Sequence, residues 1–182
     1  MILVNKAGFF YRCVKASICL LFIITFLNGC GVYSFKDVSI PPEVKSIHIG
    51  FIENRARYVD PQLSPQLTDK LKQKISSQTK LTQIQTENAD YDVSAYVSAY
   101  DITTAGVANQ TASINRLTVS VHLALKNRLN EQKLGTPDFE TDISRNFDFP
   151  ATQSFTDAQV SLLPQIVQQL TDDMFNRLFS NW

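Results

Sequence analysis

Between Ile114 and Leu129 lies the clearest alternation of apolar and polar residues in the chain. Leu117, Val119, Val121, Leu123 and Leu125 fall on one side, and Arg116, Thr118, Ser120, His122 and Lys126 on the other. A period of two places successive side chains on opposite faces of a strand, so this stretch predicts a strand half buried against a core. Three more stretches carry the same period. Val44 to Ile52 sets Ile47, Ile49 and Phe51 against Ser46, His48 and Gly50. Phe139 to Phe149 sets Phe139, Ile143, Phe147 and Phe149 against Glu140, Asp142, Ser144, Asn146 and Asp148. Tyr91 to Thr103 sets Val93, Ala95, Val97 and Ala99 against Tyr96, Tyr100 and Ile102. Both faces of that last stretch are apolar, which predicts helices over one and a partner over part of the other. Leu81 to Thr86 reads as a short extended piece.

Two stretches change to the helical period. Leu63, Leu67, Leu71 and Ile75 recur every four residues and form one apolar stripe to about Thr79. Asp60 is the predicted N-cap, with Pro61 at the first helical position, where its missing N–H is harmless. From Asp157 to Ser180, Val160, Leu163, Val167, Leu170, Met174 and Leu178 recur at spacings of three and four, with Thr156 or Asp157 as cap. Pro164 falls inside this pattern and predicts a kink or a restart. Thr104 to Ser113 is small and polar and predicts a loop between two long strands. Asn130 to Pro137, containing Gly135, predicts a hairpin-like connection. Strand, helix, strands, helix is the order of an α+β two-layer sandwich: two amphipathic helices on one face of a mixed or antiparallel sheet of about four strands. The second face is left available for a partner.

The amino end follows neither pattern. Met1 to Lys15 carries Lys6, Arg12 and Lys15 with no acid, and Ala16 to Phe26 is eleven residues without a charge. Leu27-Asn28-Gly29-Cys30 then places a small residue and a cysteine where a signal peptide is cut. Spanning a bilayer takes about 20 apolar residues, so this run is short for an uncleaved membrane helix. The segment reads as a lipoprotein signal. The Cys30 thiol would take the S-diacylglycerol group, and cleavage would make Cys30 an N-acylated amino terminus. Each buried methylene of such chains contributes about 0.8 kcal/mol, and several chains hold far better than one. The division expected is residues 1–29 as signal peptide, 30–43 as a lipidated tether rigidified at Pro41-Pro42, and 44–182 as a single α+β domain. Gly31 after the cysteine is compatible with release toward an outer membrane.

Composition narrows the function more than it specifies it. Without residues 1–29 the chain holds 14 basic and 17 acidic residues, a net charge of −3. That excludes the basic excess a nucleic-acid binder needs. Cys13 and Cys19 leave with the signal, so neither a disulfide nor a thiolate metal site is expected in the domain. His48 and His122 each stand alone on the polar side of a strand, and no nucleophile–base pattern, phosphate loop or zinc motif accompanies them. No catalytic residue, cofactor or metal is expected. Asp90 and Asp92 flank a strand start, and Asp172 and Asp173 lie on the polar side of the last helix. Trp182 is expected to dock on the core. Arg55 and Arg57 beside Tyr58 are candidates for binding phosphate or carboxylate, or else a solvated connection in which Arg55 pairs with Glu53 or Asp60. Arg116 is a further basic candidate or an ordinary edge charge.

Taken in order, Gly29 to Phe35 (GCGVYSF), the proline pair before an alternating strand (Pro41 to Phe51), Phe51 to Ala56 (FIENRA), Asn115 to Val121 (NRLTVSV) and Asp173 to Trp182 (DMFNRLFSNW) form a series. In that order, behind the lipobox, the chain resembles the lipopolysaccharide-assembly lipoprotein family LptE, in a branch distant from its enteric members. The resemblance implies two helices on a four-stranded sheet and a non-enzymatic role. It implies a lipid-anchored protein of the outer membrane, facing the periplasm, that plugs and helps assemble the LptD-type β-barrel and takes part in lipopolysaccharide delivery to the outer leaflet. Arg55, Arg57, Arg116 and Lys126 are then the basic candidates for contact with lipopolysaccharide or partner. The alternative is a pilotin-like or accessory lipoprotein of another envelope machine.

Overall fold

A computed structural model describes residues 40–108 and 111–179. The segment expected to be a signal peptide, Cys30, nearly all of the expected tether and Trp182 lie outside the described residues. The elements run β1 (Ser46–Ile49), β2 (Glu53–Asn54), α1 (Leu63–Gln78), β3 (Thr82–Gln83), β4 (Tyr91–Ala108), β5 (Thr111–Asn127), β6 (Phe139–Pro150) and α2 (Phe155–Phe179). The sheet order is β3-β1-β4-β5-β6, with β2 also paired to β4. β1 pairs in parallel with β3 and β4, β2 pairs in parallel with β4, and β4, β5 and β6 form an antiparallel meander. The class is the expected one, two helices on one face of a mixed sheet. The sheet has six strands rather than about four. The extra two, β2 and β3, are two residues long; β3 falls within the extended piece expected at Leu81 to Thr86, and β2 is too short for any period to show.

The alternating residues of β5 face as expected. Leu117, Val119, Val121, Leu123 and Leu125 are buried beneath the helices with Ile47, Ile49, Val93, Val97, Phe147 and Phe149. α1 contributes Leu63, Leu67, Leu71 and Ile75 to the same core, and α2 contributes Ala158, Leu163, Ile166, Leu170, Met174 and Leu178. α1 is tied to the strands below it, where Ile52 N donates to Thr68 Oγ1 at 3.0 Å and Gln83 Nε2 to the Lys72 carbonyl at 2.6 Å. Both helices run the same way. Phe155 at the start of α2 packs edge-on to Tyr58 and Tyr100, and Arg177 at its end lies over Phe139.

The paired acids turn out to be fasteners for these layers. Asp172 accepts from Lys74 across the helix seam, and Asp173 takes the Arg145 guanidinium in two bonds, tying α2 to β6. Burial raises the Asp172 carboxyl, but its bonds from Lys74 and Gln168 more than offset that and hold it below the usual carboxylate value.

Four local expectations are corrected. Regular helix begins at Leu63, not Pro61. Asp60 still caps the preceding turn, where its Oδ1 accepts from Gln62 N at 2.9 Å. The cap of α2 is Ser154 rather than Thr156 or Asp157. Ser154 Oγ accepts from Asp157 N and donates to the Asp157 carboxylate, a reciprocal arrangement of the capping-box kind. Pro164 neither ends nor restarts the helix, which runs unbroken from Phe155 to Phe179. Proline frees the carbonyl four residues earlier. Here Pro164 and Val160 share the outer, water-facing side, so that carbonyl can be hydrated, and Val160 (71 % exposed) belongs to this side and not to the core stripe.

The fourth correction concerns β4. Val97 pairs with Val121 and Ala99 with Ser120, so Ser98 is an inserted residue, a β-bulge. An insertion reverses the facing of everything after it. Tyr100, expected opposite Val97, therefore enters the core at 2 % exposure, and Ala99 faces the other way. The stretch Thr104 to Ser113 is not a loop. β4 and β5 stay paired through Ala108 and Thr111, forming a hairpin that continues past the helices.

Candidate functional site: the open face and the hairpin end

Opposite the helices the sheet is open, and its side chains meet in cross-strand pairs. His48 Nδ1 lies 2.7 Å from Asp92 Oδ1 between β1 and β4. Between β5 and β6, Arg116 grips Asp148 through Nε and Nη2 at 2.7 and 2.8 Å. Thr118 Oγ1 donates to Asn146 Oδ1 at 2.9 Å, Ser120 Oγ to Ser144 Oγ at 3.0 Å, and His122 Nδ1 lies 2.8 Å from Asp142 Oδ1. The Asp148 carboxyl is held below its usual value by the bond from Arg116, and the same bond raises the guanidinium.

One row crosses four strands. Arg55, at the end of β2, lies 4.3 Å from the Tyr96 ring centroid on β4. Tyr96 stacks on His122 of β5 at 4.9 Å, and His122 meets Asp142 of β6. Carboxylates close both ends of the row, Glu53 on Arg55 and Asp142 with Glu140 beside His122. The expectation that both faces of β4 are apolar fails here. The bulge sends Tyr100 inward, and Tyr96 is flanked by a guanidinium and an imidazole. The open face is built largely from polar side chains.

Four basic candidates are distributed over this surface, and they do not converge. Arg55 is engaged with Glu53 and Tyr96, and Arg116 with Asp148. Arg57 is exposed in the connection to α1. Lys126 sits opposite Asp92, ten positions from Arg116 along β5, a separation of about 33 Å at a strand rise of 3.3 Å per residue. Among the described residues no group of three or more His, Cys, Asp and Glu side chains is placed to hold a metal ion.

The hairpin end differs from the open face. Past Tyr100 and Leu117 the β4–β5 hairpin carries no charge between Asp101 and Arg116. It exposes Ile102, Val107 (67 %) and Ile114. Tyr58, Val59 and Val160 are exposed near the same end, with Tyr58 stacked 5.5 Å from Tyr100 and bonded through its hydroxyl to Gln159. Beneath them Asn54 Nδ2, Asp60 Oδ2, Ser64 Oγ and Tyr100 Oη are buried without hydrogen-bond partners. Burial, with the Asp60 carboxylate beside it, pushes the Tyr100 hydroxyl far above its usual range, so it stays protonated. Nothing in the residue pattern announces this cluster, because the bulge that turns Tyr100 inward has no pattern of its own.

The model of the lipopolysaccharide-assembly family LptE matches residues 44–178. The chain belongs to this family. Among solved structures it is similar to the hypothetical protein CT253 from Chlamydia trachomatis, with a TM-score of 0.52 at 13 % identity over 73 % of this chain and 94 % of that one. That likeness is one of fold. It is also similar to the rare lipoprotein B from Shewanella oneidensis (TM-score 0.45, 10 % identity, 71 % of this chain and 92 % of that one). The lipoprotein B from Nitrosomonas europaea gives a TM-score of 0.45 at 12 % identity, over 81 % of this chain and 96 % of that one. No curated protein matches.

Proposed function

We propose that this member of the LptE family is an outer-membrane lipoprotein, anchored through Cys30 and facing the periplasm. Its domain seats in the lumen of an LptD-type β-barrel, assists the assembly of that barrel and takes part in lipopolysaccharide transport to the outer leaflet. The observation that carries the reading is the character of the uncovered surface. Lumens of outer-membrane barrels are polar. A sheet face built from paired polar side chains suits such a wall where an apolar face would not. The uncharged hairpin end adds an apolar contact at the end of the sheet opposite to the one the chain enters at Ile40. Six exposed large apolar side chains near one end of a small domain mark a contact surface more than a solvated one. No chemical step is assigned to the chain.

The test is depletion of the protein in its own cell, together with a detergent pull-down of the lipidated chain and mass identification of the proteins that co-purify. The reading expects an LptD-type barrel in the pull-down, and a misassembled barrel with lipopolysaccharide missing from the surface on depletion. A correctly formed barrel and normal surface lipopolysaccharide would sink it. Recovery of a different barrel would instead assign the chain to another envelope machine. Cys30→Ala should release the protein from the membrane fraction.

A further inference from the structure

The two outermost strands of the sheet are not alike. On one side β3 is two residues long and is held under α1 by Gln83. On the other, β6 runs for 12 residues, and among the described residues no strand pairs with its outer side. Open edges of this length are ordinarily blunted by bulges, by proline, by charged side chains or by a covering helix or loop. β6 pairs with β5 in one continuous register from Phe139 to Pro150 without a bulge, and has no proline or glycine before Pro150. Its charges are Glu140, Asp142, Arg145 and Asp148, of which Asp142 and Asp148 are engaged by β5 and Arg145 by α2, and they leave the outward backbone groups uncovered.

The direction of the backbone groups is set by one bond. Ala151 N donates to the Ser113 carbonyl, which continues the β5–β6 register and makes odd-numbered residues of β6 the ones that bond to β5. Glu140, Asp142, Ser144, Asn146 and Asp148 therefore direct their N–H and C=O groups outward. Pro150 falls in this outward set, where a strand tolerates proline.

We propose that the outer edge of β6 is a strand-addition site for an extended segment of a partner that carries basic residues at alternate positions. The even-numbered residues that offer their backbone also put Glu140, Asp142 and Asp148 on the open face. The Glu140 and Asp142 side chains are each 72 % exposed, so a strand added alongside would bring its own open-face side chains within cross-strand distance of the acids. A second copy is the poorer occupant. Symmetric antiparallel pairing centred on Ser144 sets Glu140 against Asp148. A barrel wall is no occupant either, because a closed barrel has no free edge. The site thus stands apart from the barrel-seating reading.

The full chain in detergent is the material for the test, and the probe is a synthetic peptide of alternating lysine and valine, as long as β6. Hydrogen exchange read by NMR at the Asp142, Ser144 and Asn146 amides should slow by about tenfold or more with this peptide, since strand addition works through main-chain hydrogen bonds. An alternating glutamate–valine peptide should leave the amides unchanged. Ser144→Pro removes one outward N–H while sparing the β5 ladder, and should abolish the protection with little change in melting temperature. If Ser144→Pro does not fold, the Glu140→Lys and Asp142→Lys pair decides, and its preference should reverse toward the glutamate peptide. The proposal is overturned if the amides stay unprotected at saturating peptide. It is equally overturned if they are already protected in the peptide-free monomer, or if protection follows protein concentration alone.

Discussion

The two ends of the sheet are finished differently. At the proximal end, where the chain enters β1, Asp90, Asn127 and Tyr91 each meet partners, and the buried atom left without one is Thr171 Oγ1, further along α2. Asp90 Oδ2 accepts from Lys45 N, Ser46 N and Ser46 Oγ, each at 2.9 Å. Asn127, 5 % exposed, donates through Nδ2 to the Leu134 and Thr136 carbonyls and accepts from Leu129 N. The buried Tyr91 hydroxyl accepts from Thr136 N at 2.7 Å. At the hairpin end four buried polar atoms lack partners and aliphatic side chains stand in water. An unsatisfied buried group costs about 1–3 kcal/mol, so the hairpin end gives up stability that the proximal end keeps. One end is tied by hydrogen bonds, and the other leaves buried polar atoms unpaired and apolar side chains exposed.

The largest test of that contrast is at Gly135. Its φ of 81° lies in the left-handed region, and a Cβ there would clash with Tyr91 Oη. Gly135→Ala should lower unfolding stability by about 2–4 kcal/mol through backbone strain and the broken Tyr91–Thr136 bond, read from denaturant midpoints. A neutral result would mean that the proximal end does not lock the fold.

A smaller effect of opposite sign is expected at the other end. Tyr100→Phe removes an unpartnered hydroxyl from the core and should be neutral, or stabilising by up to about 1 kcal/mol, in the same measurement. A loss comparable to that at Gly135 would show that the hydroxyl is satisfied and erase the contrast.

The smallest effect is one of pH. Burial raises the Asp90 carboxyl, while the Lys45 and Ser46 donors and the nearby Arg128 charge lower it by more, so its folded value lies below the usual one. A depressed carboxyl contributes stability that is present above its unfolded value of about 3.9 and lost as pH falls through the folded value. Asp90→Asn should therefore flatten the fall of melting temperature below about pH 4. An unchanged acid limb would assign that fall to other carboxylates.

Legibility tracks the length and regularity of each pattern. The buried stripe of α1 and the inward set of β5 can be read residue by residue, because a dozen or more positions vote for one period. β2 is too short to vote, and β3 shows only as the extended piece at Leu81 to Thr86. Tyr100 is misplaced by alternation because one inserted residue at Ser98 shifts the phase, and alternation cannot tell a bulge from its absence. Thr104 to Ser113 reads as a loop because its residues are small and polar, yet cross-strand pairing holds it extended. Of the candidate site residues, the pairing of Arg55 with Glu53 is among the alternatives that the sequence allows. The Arg116–Asp148 pair depends on a register between strands about thirty residues apart, which composition does not encode.

The amino-acid sequence by itself determined the layer architecture, the two apolar helix faces, the half-buried β5 and the ordered landmarks of the LptE family, all of which arise from local periodicity and local order. Only the tertiary structure decided which side chains meet on the open face, where the buried polar atoms go unpaired, and that β6 is left as a long open edge. Those depend on strand register and on which element ends beside which, and such contacts are set by packing between segments far apart in the chain.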